Sequence, residues 1–187
     1  MGGTFKNIGF ETSLDITTSL TTDVYTGLLI GNLSGTLENV YVSGSLTATS
    51  LRTSYVGGMV GYSTGTILNS YSNVTVSSTS TNLKSYAGGL VGYNDGSITG
   101  SFAYGDVSAK GYADSFSFAS GLVACEGTNS VVTSCFRYKD QKITKFDSIS
   151  TSYNELGTLA SLEDIISYCK ENWDGNVWSF KKTLPSL

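Results

Sequence analysis

The sequence predicts an all-β solenoid of about five stacked coils that ends in a short capping helix. Three observations support this fold class: a repeat of about 31 residues, alternation of apolar and polar residues inside each repeat, and a helical pattern confined to the C-terminal part. We expect a single domain, with the repeats in residues 1–138 and a last irregular coil plus the cap in residues 139–187.

The repeat is visible as three columns of equivalent residues. A glycine-rich block recurs at spacings of 30, 31 and 32 residues, at Gly27–Gly31, Gly57–Gly61, Gly88–Gly92 and Ser120–Ala124. A second block follows each copy, at Ser34–Tyr41, Thr64–Tyr71, Gly96–Phe102 and Ser130–Cys135, and Gly3–Ile8 is a further copy of it. An aromatic residue precedes each glycine-rich block, at Tyr25, Tyr55, Tyr86 and Phe118. Columns in phase predict coils that lie directly on one another.

The alternation inside each repeat, as in Thr66–Tyr71, and the many Val, Ile, Thr and Tyr residues favour strands over helices. Stacking at an inter-strand spacing of about 4.8 Å would place like residues in continuous files. The predicted inward files are Phe5/Leu37/Ile67/Ile98/Val131, Leu29/Met59/Leu90/Leu122 and Leu46/Val76/Val107, beside an aromatic stack of Tyr25, Tyr55, Tyr86 and Phe118. A β-propeller is the alternative, although its blades run to about 40–50 residues.

A column of asparagines predicts one corner of the coil. Asn7, Asn39 and Asn69 occupy it, and Gly100 and Thr133 continue it. Asparagine tolerates the left-handed backbone conformation and can hydrogen-bond neighbouring backbone, so we expect a structural role for this column.

The C-terminal part predicts a helix followed by an aromatic turn. Ser161 and Asp164 form an acidic variant of the capping box. The apolar stripe that follows consists of Leu162, Ile165, Ile166 and Cys169. Because the last coil of a solenoid leaves its core and its strand edge open, we expect the helix, together with Trp173 and Trp178, to cover that end.

The repeat unit resembles a known motif. Gly88–Val107 is similar to the GLUG motif, which occurs in large secreted or cell-surface bacterial proteins, among them relatives of M26 immunoglobulin A1 proteases and filamentous-haemagglutinin-like adhesins. Gly57–Val76 matches it well, Gly27–Leu46 matches less well, and Ser120–Ser134 is degenerate. The resemblance implies a right-handed parallel β-helix at a bacterial surface. It implies no activity, because the zinc motif of the protease lies in a separate domain.

Composition excludes several classes of function. The chain of 187 residues contains no histidine, which removes Ser-His-Asp and Cys-His catalysis and histidine-ligated zinc. With 11 Lys and Arg residues and a net charge of −4, we expect no nucleic-acid partner. No apolar run approaches the roughly 20 residues that cross a bilayer, so we expect no membrane insertion. We expect no cofactor, and the sequence leaves open whether Cys125 and Cys135 pair.

The acidic residues are scattered, and we assign no catalytic residues. The best pair is Asp95 with Glu126, which the alignment places in adjacent columns of neighbouring coils. Exposed turn carboxylates are the favoured interpretation of this pair, and a weak calcium site is the alternative.

The expected function is that of a non-catalytic module, a stalk, spacer or adhesive segment of a larger secreted or cell-surface bacterial protein. We expect further repeats upstream and a host glycan or host protein as partner. The alternative is a β-helix that binds or degrades polysaccharide, and degradation would need two or more convergent carboxylates.

Overall fold

A computed structural model describes residues 3–181 and 183–187 of the chain. Met1, Gly2 and Lys182, which fall inside the predicted ranges 1–138 and 139–187, lie outside the described residues. The strands pair almost entirely in parallel and form three sheets, of 12, four and four strands, that enclose one core. Among the described residues, no helix has the length and apolar character needed to cross a bilayer.

The strands follow the coils in chain order. An incomplete coil consists of β1 (Thr4–Thr18). Coil 1 contains β2 (Val24–Gly27), β3 (Ile30–Leu33) and β4 (Thr36–Ser50). Coil 2 contains β5 (Ser54–Gly57), β6 (Val60–Ser63), β7 (Thr66–Leu68) and β8 (Tyr71–Ser80). Coil 3 contains β9 (Ser85–Gly88), β10 (Val91–Asn94), β11 (Ser97–Thr99), β12 (Phe102–Ala103) and β13 (Val107–Lys110).

Coil 4 begins after a short 3-10 helix (Asp114–Phe116) and contains β14 (Ser117–Ser120), β15 (Val123–Glu126), β16 (Val131–Thr133), β17 (Phe136–Tyr138) and β18 (Ile143–Lys145). The chain then forms β19 (Ser148–Ile149), β20 (Thr158–Ala160) and the helix α1 (Leu162–Asn172). The fold class is confirmed, but the solenoid has about four full turns rather than five. The predicted number was higher because β1 and the stretch ending in β20 each supply only part of a coil.

Two of the three predicted inward files are confirmed by the strand register. Leu46 pairs with Val76 and Val76 with Val107, and the file extends to Leu14 and Ile143 at its two ends. The second file comprises Leu29, Met59, Leu90 and Leu122, in which each backbone amide donates to the carbonyl of the next member, at 2.9–3.2 Å. Apart from Leu14, which is exposed, and Leu29, which packs against the core from its edge, the members of both files lie in one aliphatic core.

The third predicted file is wrong at its last position. Ile98 pairs with Val132, whereas Val131 pairs with Ser97 and is 53% exposed. The turn between β15 and β16 is two residues longer than the turn between β10 and β11, which shifts the register by one residue relative to the predicted column. The same shift puts Ser134, not Thr133, in the asparagine column.

The asparagine column forms a corner with left-handed backbone in every coil. The φ angles are 57° at Asn7, 55° at Asn39 and 46° at Asn69, and the column continues with Gly100 at 60° and Ser134 at 52°. Asn39 Nδ2 donates to Asn7 Oδ1 at 3.1 Å, so the side chains also link neighbouring coils. The predicted structural role agrees with this geometry.

Helix α1 begins as the sequence predicts. The Ser161 hydroxyl accepts a hydrogen bond from the Asp164 amide at 3.2 Å and donates to Asp164 Oδ2 at 2.5 Å. Ile165 and Cys169 are fully buried. The N-terminal hydrogen bonds and the buried stripe are therefore both encoded locally.

The position of α1 differs from the prediction. The helix and the tryptophans lie against the side of the solenoid instead of covering its last coil. Trp173 Nε1 donates to the Gly100 carbonyl in coil 3 at 2.9 Å, and Trp178 Nε1 donates to Asn39 Oδ1 in coil 1 at 3.2 Å. They pack there against an outward-facing column of aromatic residues and bury its apolar surface. Its members are Tyr41, Tyr71, Phe102 and Phe136.

Candidate functional site

Asp95, the first member of the predicted calcium pair, lies just after β10 and holds the long turn of the next coil. Its Oδ1 accepts from the Asn129 backbone amide at 2.7 Å, and its Oδ2 accepts from Asn129 Nδ2 at 3.2 Å. Both oxygens are therefore engaged by one neighbouring residue. This geometry is that of a carboxylate which orders a turn.

Glu126, the second member, is the last residue of β15 and pairs in register with Asn94. It therefore lies in the column next to that of Asp95, as predicted. Its Oε1 accepts from the Ser130 hydroxyl at 2.9 Å, and its Oε2 accepts from Asn154 Nδ2 at 3.1 Å.

Calcium takes six to eight oxygen ligands, and these donors would have to move to admit it. In residues 3–181 and 183–187, no group of three or more His, Cys, Asp or Glu side chains is placed to hold a metal ion. The calcium site stays a prediction, and a titration can test it.

The aromatic column that precedes the glycine blocks forms a tyrosine ladder, which we define as Tyr25, Tyr55, Tyr86, Phe118 and Tyr153. The first four rings stack nearly parallel, with centroids 5.1, 4.8 and 4.6 Å apart. Tyr153 meets Phe118 edge-on at 4.6 Å. The stack is confirmed, and the structure adds Tyr153, whose amide donates to the Ala119 carbonyl and so continues the path of the coil.

A second aromatic column lies beside the ladder and was not predicted. Tyr62 and Tyr93 follow the glycine blocks directly, and their rings lie 5.1 Å from Tyr25 and 5.4 Å from Tyr55. A Cβ atom added at Gly61 would lie 2.5 Å from the Thr26 amide nitrogen, so only glycine lets the two columns meet at this corner. The sequence contains a signal for this second column, since a tyrosine directly follows two of the glycine-rich blocks.

The rings in the middle of the ladder are partly or fully buried, which affects their ionisation. Burial raises the pKa of Tyr86 to about 12, and burial likewise raises the pKa of Tyr55. Because neighbouring rings cover each other's faces, few flat aromatic surfaces remain free for a ligand. Its main effect is to tie one coil to the next.

The three cysteines are free thiols. Cys125 continues the column of Tyr62 and Tyr93 on the outer surface, whereas Cys135 lies in the core and is 3% exposed. Burial raises the pKa of Cys135 to about 11 and that of Cys169 to about 12, so both thiols stay protonated and unreactive.

An open groove of about 340 Å³ lies between the outer face of the long sheet and the C-terminal segment Thr183–Ser186. Its floor carries Glu11, Ser43 and Asn73, which are register partners in successive coils. The sequence missed this groove because one wall comes from the aperiodic C-terminus.

The wall of the groove is held in place by three hydrogen bonds. The Tyr71 hydroxyl donates to the Pro185 carbonyl at 2.6 Å. Ser179 and Ser186 exchange two backbone hydrogen bonds, at 2.7 and 3.0 Å. The groove is therefore a formed feature of the fold.

Tyrosine rings line the rest of the groove. The Tyr104 amide donates to the Ser72 carbonyl, which places Tyr104 in the coil after Asn73 in the same outward file. Its ring stacks on Tyr138, with centroids 4.4 Å apart. Tyr41 also lines the groove, and its hydroxyl donates to Glu11 Oε1 at 3.5 Å.

Comparison with known proteins agrees with the resemblance seen in the sequence. The GLUG motif matches residues 85–108, which run from β9 into β13. Among solved structures, the chain is similar to the crystal structure of a "putative immunoglobulin A1 protease" from Bacteroides ovatus. The TM-score is 0.63 and the identity 16%, over 99% of this chain and 68% of that one, so the likeness is one of fold. A search of curated proteins gives no match.

Proposed function

We propose that this GLUG-motif β-solenoid is a non-catalytic repeat module of a larger secreted or cell-surface bacterial protein, in which it serves as a rigid spacer. One observation carries the proposal. The interior file from Leu46 to Ile143 runs without a break through coils 1 to 4, and Leu14 continues its register in β1, so each coil is fixed to the next by both backbone pairing and side-chain packing. Stacked repeats of this kind form stiff rods.

The placement of the carboxylates supports a non-catalytic function. Glycoside hydrolysis uses two carboxyl groups on either side of the scissile bond. Glu11 is the one carboxylate among the described residues that line the groove, and the oxygens of Asp95 and Glu126 each accept a hydrogen bond from a neighbouring residue. The name of the structural neighbour refers to a protease, but this chain has no histidine to supply its own zinc ligands of that type.

Two sets of assays test the proposal. The purified chain is incubated with immunoglobulin A1 and with a panel of polysaccharides, and we expect no cleavage of either; turnover by the purified chain would overturn the non-catalytic assignment.

The second assay measures mechanical stability, and single-molecule stretching is expected to unfold the coils cooperatively. Leu46 is fully buried, so Leu46→Ala should leave a cavity and lower the unfolding force. Leu14 is 39% exposed, so Leu14→Ala should change the force far less.

Export is tested separately, because it concerns the parent protein. Protease treatment of intact cells of the source organism should remove the epitope of this chain if the module lies at the cell surface. Full protection in intact cells, with digestion after lysis, would contradict that location.

We also propose that β1 pairs with a further coil in the parent protein. Leu14 is 39% and Phe10 37% exposed, whereas Leu46 and Val42, their partners in β4, are fully buried. An unpaired strand edge with exposed apolar side chains readily pairs with another strand. A longer chain that includes the coil of the parent protein next to β1 should have a higher melting temperature than the present chain. An unchanged melting temperature would contradict the pairing.

A further inference from the structure

We infer that the groove beside the C-terminal segment binds a short, neutral oligosaccharide. The inference goes beyond the spacer function and does not depend on it, because the groove is built by the C-terminal segment and not by the repeat alone. It rests on the shape of the groove, on its free polar groups and on its charge.

The outward-facing side chains along the floor change from acidic, through small and polar, to aromatic. From coil to coil the outward file runs Glu11, Ser43, Asn73, Tyr104 and Tyr138. Tyr138 covers one face of the Tyr104 ring. On the other side of Tyr104 the file continues with the smaller side chain of Asn73, and both side chains line the groove.

Aromatic side chains next to polar groups suit a sugar ring, which has an apolar C–H face and a rim of hydroxyl groups. The three steps from Tyr104 to Glu11 span about 14 Å at an inter-strand spacing of about 4.8 Å. This length admits more than one sugar unit along the groove.

The polar groups on the floor are available to a ligand. Within the described part of the chain, the Ser43 hydroxyl and the Asn73 amide take part in no side-chain hydrogen bond. Asparagine offers two donors and an acceptor, and serine offers one donor and an acceptor. Glu11 adds an acceptor, and the one hydrogen bond it makes to a described residue is the long one from Tyr41. Sugar hydroxyl groups can use all of these.

Charge selects among the ligands that could enter. Glu11 is the one charged residue of the described lining, and it is negative. A sialylated, sulfated or phosphorylated ligand would meet an uncompensated carboxylate, which costs binding energy in a partly enclosed site. A neutral glycan meets no such penalty. The anchored wall also lowers the entropic cost of binding, since the hydrogen bonds to Pro185 and Ser186 already order it.

The test uses the full chain on an array of neutral, sialylated and sulfated oligosaccharides, followed by calorimetric titration with the best neutral disaccharide on the array. We expect binding to neutral members only. Asn73→Ala and Glu11→Gln should each weaken the affinity at least tenfold. The matched control is Glu171→Gln, an exposed carboxylate on α1 outside the groove, which should bind as the wild type does.

Melting curves of the variants verify that they are folded, and both substitutions concern side chains outside the core. A second control, Tyr93→Ala, removes a ring from the column beside the tyrosine ladder and should leave the affinity unchanged. Any of four results would overturn the inference: no neutral glycan binds, anionic glycans bind better, the two groove variants bind like the wild type, or binding is lost with Tyr93→Ala instead.

Discussion

The indole nitrogen of Trp178 donates a hydrogen bond of 3.2 Å to Oδ1 of Asn39, a residue that lies 139 positions earlier in the chain. This bond joins the aperiodic C-terminal segment to the corner of coil 1. Asn39 thereby links three parts of the fold, since its amide nitrogen also donates to Asn7. The C-terminal segment is thus a strap along the side of the coils.

We predict that Trp178→Phe lowers the free energy of unfolding by about 1–3 kcal/mol, because the buried Asn39 oxygen loses a donor and the packing loosens. Trp178 is 2% exposed, so solvent cannot replace the donor without a rearrangement. Urea denaturation measures the change. A double-mutant cycle with Asn39→Gly should show coupling between the two sites, and strict additivity would contradict a direct interaction.

The left-handed backbone at Asn39 gives a second prediction. Asn39→Ala and Asn39→Gly both remove the side-chain hydrogen bonds, but only alanine also meets strain at a φ of 55°. We expect the free energy of unfolding of the Asn39→Ala variant to be about 1 kcal/mol lower than that of the Asn39→Gly variant. Gly100 fills the same column naturally, which makes glycine a fair reference. Equal stability of the two variants would show that the corner does not depend on backbone conformation.

Ser72 carries a buried hydroxyl without a hydrogen-bond partner in the described residues. Its register partners are Val42 and Ala103, so the site already accepts apolar side chains. We expect Ser72→Ala to leave the free energy of unfolding unchanged or to raise it by about 1 kcal/mol.

Ser70 is the matched contrast to Ser72. Its hydroxyl accepts from the Val40 amide at 3.0 Å and donates to the Leu68 carbonyl at 2.6 Å. Ser70→Ala should therefore lower the free energy of unfolding by about 1–3 kcal/mol. Denaturant titrations measure both variants. Equal changes in the free energy of unfolding for Ser70→Ala and Ser72→Ala would contradict a stabilising effect of the Ser70 hydrogen bonds.

The buried thiol of Cys135 predicts a loss of stability at alkaline pH. Burial raises its pKa from 9.0 to about 11, because the folded state favours the neutral form. The stabilisation is therefore complete below pH 9 and declines as the pH rises through 11, by about 2–3 kcal/mol in all. Unfolding in reducing buffer at pH 8 and at pH 11 measures this loss.

Cys135→Ser separates this effect from the titration of buried tyrosines. The column already holds serine in other coils, where Ser101 accepts from the Ser70 amide at 3.1 Å, so the substitution should be tolerated at pH 8. We expect the variant to lose less stability than the wild type between pH 8 and pH 11. A larger loss in the variant would contradict the assignment.

Calcium is expected to leave the melting temperature unchanged, since the oxygens of Asp95 and Glu126 already accept hydrogen bonds from protein donors. Differential scanning fluorimetry with calcium chloride, and with magnesium chloride as the ionic-strength control, measures this. A calcium-specific rise that disappears in the Asp95→Ala or Glu126→Ala variant would instead support a binding site.

Most of the coil was predictable because its contacts repeat. The file from Leu46 to Val107 follows from spacing alone, since a residue in a stacked coil touches its equivalent in the next repeat. The one failure among the files, at Val132, came from two extra residues in a turn. A column alignment cannot place such an insertion, because a shift by one residue also exchanges the inward and outward faces of a strand.

The candidate sites that the repeat forms were predicted from the sequence, whereas the groove that the C-terminal segment completes was not. The tyrosine ladder was predicted from its period, and Asp95 and Glu126 were placed correctly in adjacent columns. The groove was not predicted, because Tyr71 and Asn73 acquire their opposite wall from Thr183–Ser186, more than a hundred residues away.

The sequence by itself therefore determined the stacking of the coils, the interior files and the start of α1, since each depends on local pattern or on a neighbour one period away. Only the tertiary structure decided that α1 and the tryptophans lie along the side of the solenoid. Two surfaces, the open last coil and the column of Tyr71 and Phe102, could both have buried that apolar segment. At the side, the segment both packs against aromatic rings and finds hydrogen-bond acceptors for its two indole nitrogens, at Asn39 and Gly100.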